Sequence, residues 1–528
     1  MASLFDAVSH TRRDALKEST NLRSPALLDA SRSLTTNVSW FDTVPKRAPG
    51  KRSPENIDVC SRKRVKLSSV ELYSDGSDAY ETDNDQESQS SPCHRRRHTI
   101  LNINARTPPV SSFRRPFLST LPILQSFVSS NKSDVFRCQS VLDASFLAPP
   151  YACSYSHSAR STGTPLLAVA TEQGTVYIIN TCKRRDWDPE PVHTALQPHE
   201  NGIFDVKWNG VDTLLATASG DKSVHVSDLQ TCATILALRG HSSTAKCISW
   251  DPNHPDLLST GGRDGNVCIW DLRAGEYRAV DEPASLLPVQ TIMAAHEIMS
   301  LKGKRKSPKG KNAPMPKSVT GLLYSKANPH QLISSGSSDG ILRCWDIRLT
   351  KKRTRVKELG CLLSSPSDPT VWQAASRRPR GIISLVEGTG PTAGLIFALG
   401  ADSHIHTYAH DSLTAFGCSY THANLRTNFY VGLAASPCGR WLASGGAGAS
   451  GSSFIFDVSN AIRGSAVETG VELKGHSGDA GGVDWSAGML STCWDDGMVR
   501  VWRPDIETYR ACLANPEEMR WDWCWPSA

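Results

Sequence analysis

The chain repeats itself, and the period of that repeat limits its fold more than any other feature. "GRDGNVCIWDLR" (262–273) returns one unit later as "SSDGILRCWDIR" (337–348). In each, a turn acid (Asp264, Asp339) is followed six residues on by a tryptophan (Trp270, Trp345). Asp496 with Trp502 and Asp402 with Tyr408 fit the same template. Weaker copies pair Asp221 with Ser227, Gln173 with Ile179, and Ser450 with Phe456. Successive turn positions are 48, 43, 75, 63, 48 and 46 residues apart, which makes seven units. Alternation in "NVCIW" (266–270) and "MVRVW" (498–502) is that of strands. Glycine after several of the turn acids supplies the positive φ a tight hairpin needs.

Units of about 40–45 residues, each a small sheet, bury their faces only by stacking on neighbours. Two of them also open with Gly-His, "GHSSTAKCISW" (240–250) and "GHSGDAGGVDW" (475–485). These features resemble the WD40 repeat, which implies an all-β, seven-bladed WD40 β-propeller, here spanning 136–510. The resemblance also implies a buried hydrogen-bond chain of His, turn Asp, Ser or Thr, and Trp in a blade. His241, Asp264 and Trp270 therefore read as structural rather than catalytic. Ser227 stands where blade two should have its tryptophan, and blade six has no turn acid, so packing is expected to hold those blades. A segment near 136–150 or beyond 502 should close the ring, and 511–528 reads as a C-terminal tail.

Residues 1–110 are rich in Ser, Pro, Arg and Asp and poor in apolar clusters, which predicts a disordered tail. Within it, Lys51 and Arg52, a spacer, and Arg62, Lys63, Arg64 and Lys66 have the form of a bipartite nuclear import signal. The alternative is a solvated charge run. Ser-Pro and Thr-Pro sites at Ser24, Ser53, Thr107 and Ser307 permit kinase control. The 111–135 segment carries Phe117, Leu118, Leu121, Leu124, Phe127 and Val128 at helical spacings broken by Pro116 and Pro122. It reads as a short amphipathic piece, packed on its own domain or docking to a partner. The two long spacings mark insertions. One holds seven basic and no acidic residues over 299–317; the other begins "LTKKRTRVKELG" (349–360) after blade four. Both leave the outer-strand region and are expected on one side of the disc. The first is a solvated loop or a phosphate contact to DNA by counterion release.

Nothing indicates catalysis. No phosphate-binding loop, zinc-protease helix or nucleophile elbow is present. The 15 cysteines lack any CxxC pair, so neither a metal site nor a disulfide framework is expected. No cofactor is expected. No apolar run reaches the ~18 residues of a membrane span, and no membrane partner is expected.

The terminal arginines of the two quoted stretches, Arg273 and Arg348, have no role in a finished strand. They are either rim salt bridges of the propeller or a docking pair. Their Trp-Asp-x-Arg setting in consecutive blades resembles the paired boxes of substrate receptors for cullin-4 RING ubiquitin ligases. "LAPPYACSYSHSARSTGTPLLAVATEQGTVYIIN" (147–180), "GIFDVKWNGVDTLLATASGDKSVHVSDL" (202–229) and "THANLRTNFYVGLAASPCGRWLASGG" (421–446) resemble the denticleless-type receptors in the same blade order. The N-terminal basic tail and short C-terminal end match a fungal-type version. The resemblance implies adaptor contact through Asp264, Trp270, Asp271, Arg273, Asp339, Trp345, Asp346 and Arg348. The adaptor, the large damaged-DNA-binding protein subunit, would link the chain to cullin-4 and its RING protein. It further implies a nuclear, non-catalytic subunit. That subunit would present replication proteins bound to the sliding clamp, through a clamp-binding degron with an added basic residue, for polyubiquitination in S phase and after DNA damage. The nearest local match to a clamp-binding box, "QSVLDASF" (139–146), has one aromatic where two are expected and reads as strand. The competing expectation is a nuclear WD40 scaffold for histones or ribosome assembly.

Overall fold

The computed structural model describes residues 120–518, apart from 144, 162, 186–192, 275–282, 298–316, 327, 353–356, 373–377, 449–450, 464–467 and 476. The 1–110 tail, its import-signal residues and nearly all of the 299–317 insertion lie outside these residues.

Seven sheets follow one another along the chain. Blade one has its strands at Pro150–Tyr155, Leu166–Thr171, Val176–Asn180 and Thr194–Leu196. Blade three has Ala245–Trp250, Leu257–Gly262, Val267–Asp271 and Gln290–Ile292, and blade four has Val319–Tyr324, Gln331–Gly336, Arg343–Lys352 and Lys357–Ser364. Each runs as an antiparallel meander in sequence order. The seven units read from the sequence are the seven blades. There is no central core. Seven apolar clusters lie between neighbouring blades, such as Val224, Leu258, Cys268 and Trp270 between two and three. Tyr155, Val169, Cys493 and Val499 fill the seam between one and seven.

The first and third strands of a blade run one way and the second and fourth the other. The hairpins carrying the turn acids therefore share one face of the disc with the loops that enter each blade, here called the entry face. The loops after first and third strands emerge on the opposite, exit face. The 299–317 insertion lies outside the described residues except for Lys317, after which the chain enters blade four at Val319 on the entry face. The "LTKKRTRVKELG" stretch instead lies within blade four, where the third strand runs on to Lys352 and pairs with Lys357–Leu359 on the exit face. The expectation that both insertions project together falls, for the first of them, outside the described residues; only the blade-four extension is placed, on the exit face.

Closure comes from earlier in the chain than most of the 136–150 range. Phe127–Val128 pairs with Arg503 and Pro504, and Val135–Arg137 pairs with Met498–Arg500, so the residues just ahead of blade one complete blade seven. Phe127 is fully buried, edge-on to Trp441 at 5.8 Å and Trp485 at 5.6 Å. Arg503 donates to Asp134 at 2.8 Å and to the Thr181 carbonyl at 2.6 Å, tying blade seven to this strap and to blade one. The amphipathic 111–135 piece thus supplies closing strand from Phe127 onward. After blade seven, Ile506–Ala514 is a helix capped by Asp505, whose carboxylate accepts from the Thr508 N–H at 3.0 Å. "QSVLDASF" is not strand but a turn closed by a single bridge from Gln139 to Leu147. Among the described residues no helix is long and apolar enough to cross a membrane, and no three His, Cys, Asp or Glu gather to hold a metal ion. All described cysteines are free thiols, most of them buried.

The polar chain expected in the blades is complete in blade three. His241 Nδ1 lies 3.2 Å from both Asp264 oxygens, its Nε2 is 2.8 Å from Thr260 Oγ1, and Trp270 Nε1 donates to the same hydroxyl at 2.9 Å. Blade two, expected to rely on packing, keeps most of the chain: His199 joins Asp221 at 2.7 Å and Thr217 at 2.9 Å. Only the tryptophan link is lost, Ser227 bonding Thr234 instead. Blade four is the reverse case. His296 and Trp345 both reach Ser334 at 2.9 Å, but Asp339 does not reach the histidine, and His296 Nδ1 is buried with no partner. Its hairpin is rebuilt around Asp368, which accepts from the Gly340 N–H at 3.1 Å. Gly265 has φ +80° in the equivalent position of blade three, whereas Gly340 is not left-handed.

Two predictions follow from closure and from these histidines. Phe127→Ala should cost about 3–5 kcal/mol in urea unfolding, while Leu142→Ser, at a side chain 90% exposed, should change stability by less than ~0.5 kcal/mol. The histidines respond to pH with opposite signs. Burial disfavours the His241 cation, but the Asp264 carboxylate outweighs it and lifts its pKa to about 9. Its stabilisation is full below the unfolded value of ~6.5 and is lost as pH rises through about 9. Burial, with Arg343 and Lys317 nearby, lowers His296 to about 3. The unfolded chain therefore takes up this proton first, and stability falls by roughly 1.4 kcal/mol per pH unit below ~6.5. Melting curves should show a flatter acid side in His296→Asn and a flatter alkaline side in His241→Asn.

Candidate functional site

The third strands of blades three and four both reach the exit face at a Trp-Asp-x-Arg: in blade three the strand stops at Asp271 and Arg273 sits in the short 3-10 turn that follows, whereas in blade four the strand, Arg343–Lys352, runs on through Arg348. Alternation along a strand sends adjacent side chains to opposite sides, so Trp270 turns inward while Asp271 turns outward. Trp270 is fully buried and Trp345 is 5% exposed. The aspartate that follows each tryptophan then grips the arginine two residues on. Asp271 Oδ1 accepts the Arg273 backbone N–H at 3.1 Å and its Nε at 2.9 Å, and Oδ2 accepts Nη2 at 2.8 Å. Asp346 holds Arg348 identically, at 2.9, 3.2 and 3.1 Å. Each arginine's hydrogen bond to the aspartate holds that carboxyl below the ordinary carboxylate range.

The side chains of Arg273 and Arg348 are 68% and 62% exposed even so. The Nη1 amine of each makes no hydrogen bond among the described residues. Each guanidinium is thus fixed along one edge and open along the other, an orientation suited to two parallel bonds with a partner's carboxylate or carbonyls. Between them lie the loops after the first strands. His254 is held by Asp251 at 2.8 Å, and its ring stacks on His330 of the next blade at 5.1 Å. Asp256 approaches Arg273 at 3.9 Å. The surface is therefore continuous across two blades.

The eight residues singled out from the sequence fall into two groups. Asp271, Arg273, Asp346 and Arg348 come together on the exit face. Asp264 and Asp339 sit at the other end of the same strands, on the entry-face hairpins, and Trp270 and Trp345 are sealed in the blade seams. These four frame the arginines from behind. The His254–His330 stack was missed, although "DPNHPDLL" (251–258) and "KANPHQLI" (326–333) place an Asn and a His in the same loop of consecutive units.

A family model described as WD domain, G-beta repeat matches residues 189–228, 231–271 and 312–346, the last two ending at Asp271 and Asp346, just before the arginines. "Cell division cycle protein cdt2" of Schizosaccharomyces pombe is 33% identical over 365 residues, covering 66% of this chain and 68% of that protein. The chain belongs to the Cdt2/denticleless family. "Denticleless protein homolog" of Gallus gallus is 29% identical over 67% of this chain, and that of Homo sapiens 26% identical over 76%. The chain spans about half the length of these vertebrate relatives, 47% and 53%.

Exposed ion pairs contribute only ~0–1 kcal/mol. The Arg273→Ala/Arg348→Ala variant should therefore unfold in urea with only a small shift of its midpoint from that of the native chain. A larger loss would make these arginines struts of the propeller instead of a displayed surface.

Proposed function

We propose that this Cdt2/denticleless-family chain is the substrate receptor of a cullin-4 RING ubiquitin ligase. It acts without catalytic residues of its own. Arg273 and Arg348 dock the adaptor, the large damaged-DNA-binding protein subunit, and through it cullin-4 and the RING protein. The observation that carries this reading is the pair of guanidiniums held by Asp271 and Asp346 on consecutive blades, fixed yet largely exposed. Pre-fixed donors lose little side-chain freedom on binding, so more of each bond appears as affinity. Asp264, Trp270, Asp339 and Trp345 serve docking indirectly, by holding the third strands that bring the arginines to the exit face.

On this reading the receptor works in the nucleus, brought there by the signal at Lys51–Lys66. It presents clamp-bound replication proteins for polyubiquitination and degradation in S phase and after DNA damage. The family relationship supports this role. The 299–317 insertion is its candidate contact to DNA.

Co-purification from cells with the full chain tests docking. Native chain should retain the adaptor, and Arg273→Ala/Arg348→Ala should lose it with an unchanged melting curve. Asp271→Asn/Asp346→Asn, which loosens the arginines without removing them, should weaken retention by roughly tenfold. Equal recovery with the arginine variant would refute docking through this pair, and no adaptor with the native chain would refute the receptor reading.

A further inference from the structure

Arg273 and Arg348 share a geometry but not their surroundings. Just ahead of each second strand one residue sits beside the arginine's turn. The Asp256 carbonyl accepts the Leu272 N–H at 2.9 Å in blade three, and the His330 carbonyl accepts the Ile347 N–H at 3.0 Å in blade four. The two residues therefore hold the same place. An acid stands next to Arg273 where an imidazole stands next to Arg348. Asp256 comes within 3.9 Å of the Arg273 guanidinium. Asp346, already bonded by Arg348, has the His330 ring close enough to lower its carboxyl further.

The acids differ in what they show to solvent. The side chains of Asp271 and Asp256 are 23% and 50% exposed, whereas that of Asp346 is 9% exposed. Arg273 is thus shared between two acids that reach the surface, and Arg348 has one that is sheltered. His330 is also held in place. Its ring stacks on His254 at 5.1 Å, and His254 Nδ1 is fixed 2.8 Å from the buried Asp251. The other ring nitrogen of His254 makes no hydrogen bond among the described residues. Lys326, in the same loop as His330, is paired with Glu387 at 3.3 Å and adds no net charge.

The chain that follows each arginine carries the contrast on. Residues 275–282, which come after Arg273 and lie outside the described residues, include three acids and one base. After Arg348 the same strand runs on to Lys352 along the exit face, and 351–357 hold five bases and no acid. Residue placement and sequence thus agree: charge passes from acidic at blade three to basic at blade four.

We propose that the exit face is polarised, with Arg348, His330 and His254 forming a seat for a carboxylate of the docking partner while Arg273 takes only uncharged carbonyls. A carboxylate brought to Arg273 meets Asp256 and Asp271, both exposed, and is repelled. At Arg348 it meets the open edge of the guanidinium and imidazole N–H donors, which give charge-assisted hydrogen bonds. A backbone carbonyl carries no net charge, so the acids around Arg273 do not exclude it. The partner must then present an acidic side chain over blade four and none over blade three. That pattern fixes which way round it sits, since complementary charge sets register more than total affinity. The inference rests on the receptor reading, with the adaptor as partner, and gives the chemistry that orients it.

Binding of purified adaptor to the immobilised full chain tests it. His330→Asp rebuilds the blade-three arrangement around Arg348. His330 has φ +71°, a left-handed conformation that aspartate and asparagine also tolerate, so the melting curve should be unchanged. Adaptor should bind His330→Asp roughly tenfold more weakly than the native chain, and the neutral variant His330→Asn should lose less. Asp256→His/His330→Asp keeps the same two residues and the same net charge but exchanges their places. It should bind as weakly as His330→Asp, which a merely structural role or an effect of total charge would not produce. Added salt should weaken the native chain more steeply than His330→Asp. The proposal is overturned if His330→Asp binds like the native chain, or if the exchanged variant does. Adaptor binding that ignores both changes removes the polarity and leaves the receptor reading standing, whereas no binding by the native chain removes both.

Discussion

A blade has two apolar faces and can cover neither by itself. Each of the seven clusters draws side chains from two neighbouring blades, and the last seam is complete only when the ring closes. Closure therefore governs everything else, and it falls to a few residues ahead of blade one. Phe127 fills the space between Trp441 and Trp485, and Asp134 takes the Arg503 guanidinium. The strap is joined to blade seven by short ladders, so its hold comes mainly from burial and from this ion pair, which is sheltered from water.

The third strand of a blade links the inside of the ring to both of its faces. In blade three its start is held by the Asp264–His241–Thr260 chain, and its end delivers Trp270 inward and Asp271 outward. The same strand thus supplies a seam residue and a clamp for an exposed arginine. Blade four reaches the same exit-face geometry with an incomplete polar chain, since His296 lacks an acid and the hairpin leans on Asp368. Two blades that differ at their entry-face ends present matching arginines at the other. That agreement is the strongest reason to read Arg273 and Arg348 as one surface.

The spacing of turn acid and aromatic revealed four blades and weaker copies of the same interval the other three, because a hairpin followed by a buried strand leaves a fixed interval in any sequence. The arginines were legible for the same reason, each lying a constant distance past its tryptophan. The closing strap was not, since ladders as short as Phe127–Val128 are too brief to show alternation. His199 was overlooked because it follows proline where glycine was expected, although its partner Asp221 had been found. Strand polarity, which can be counted from the repeat alone, puts the blade-four extension on the exit face, which composition did not show. The channel mouth on the entry face could not be read at all: Tyr151, Phe204, Lys246 and Tyr430 come from four blades, and only closure of the ring makes them neighbours.

The central claim is that the exit face at blades three and four is where the adaptor binds, leaving the entry face open. A cryo-electron microscopy structure of the full chain with its adaptor tests this most directly. The account predicts adaptor carboxylates or carbonyls within hydrogen-bond reach of the outward edges of both Arg273 and Arg348, with the channel mouth at Tyr151 and Tyr430 exposed. An adaptor seated over the channel mouth, or touching neither arginine, would contradict it.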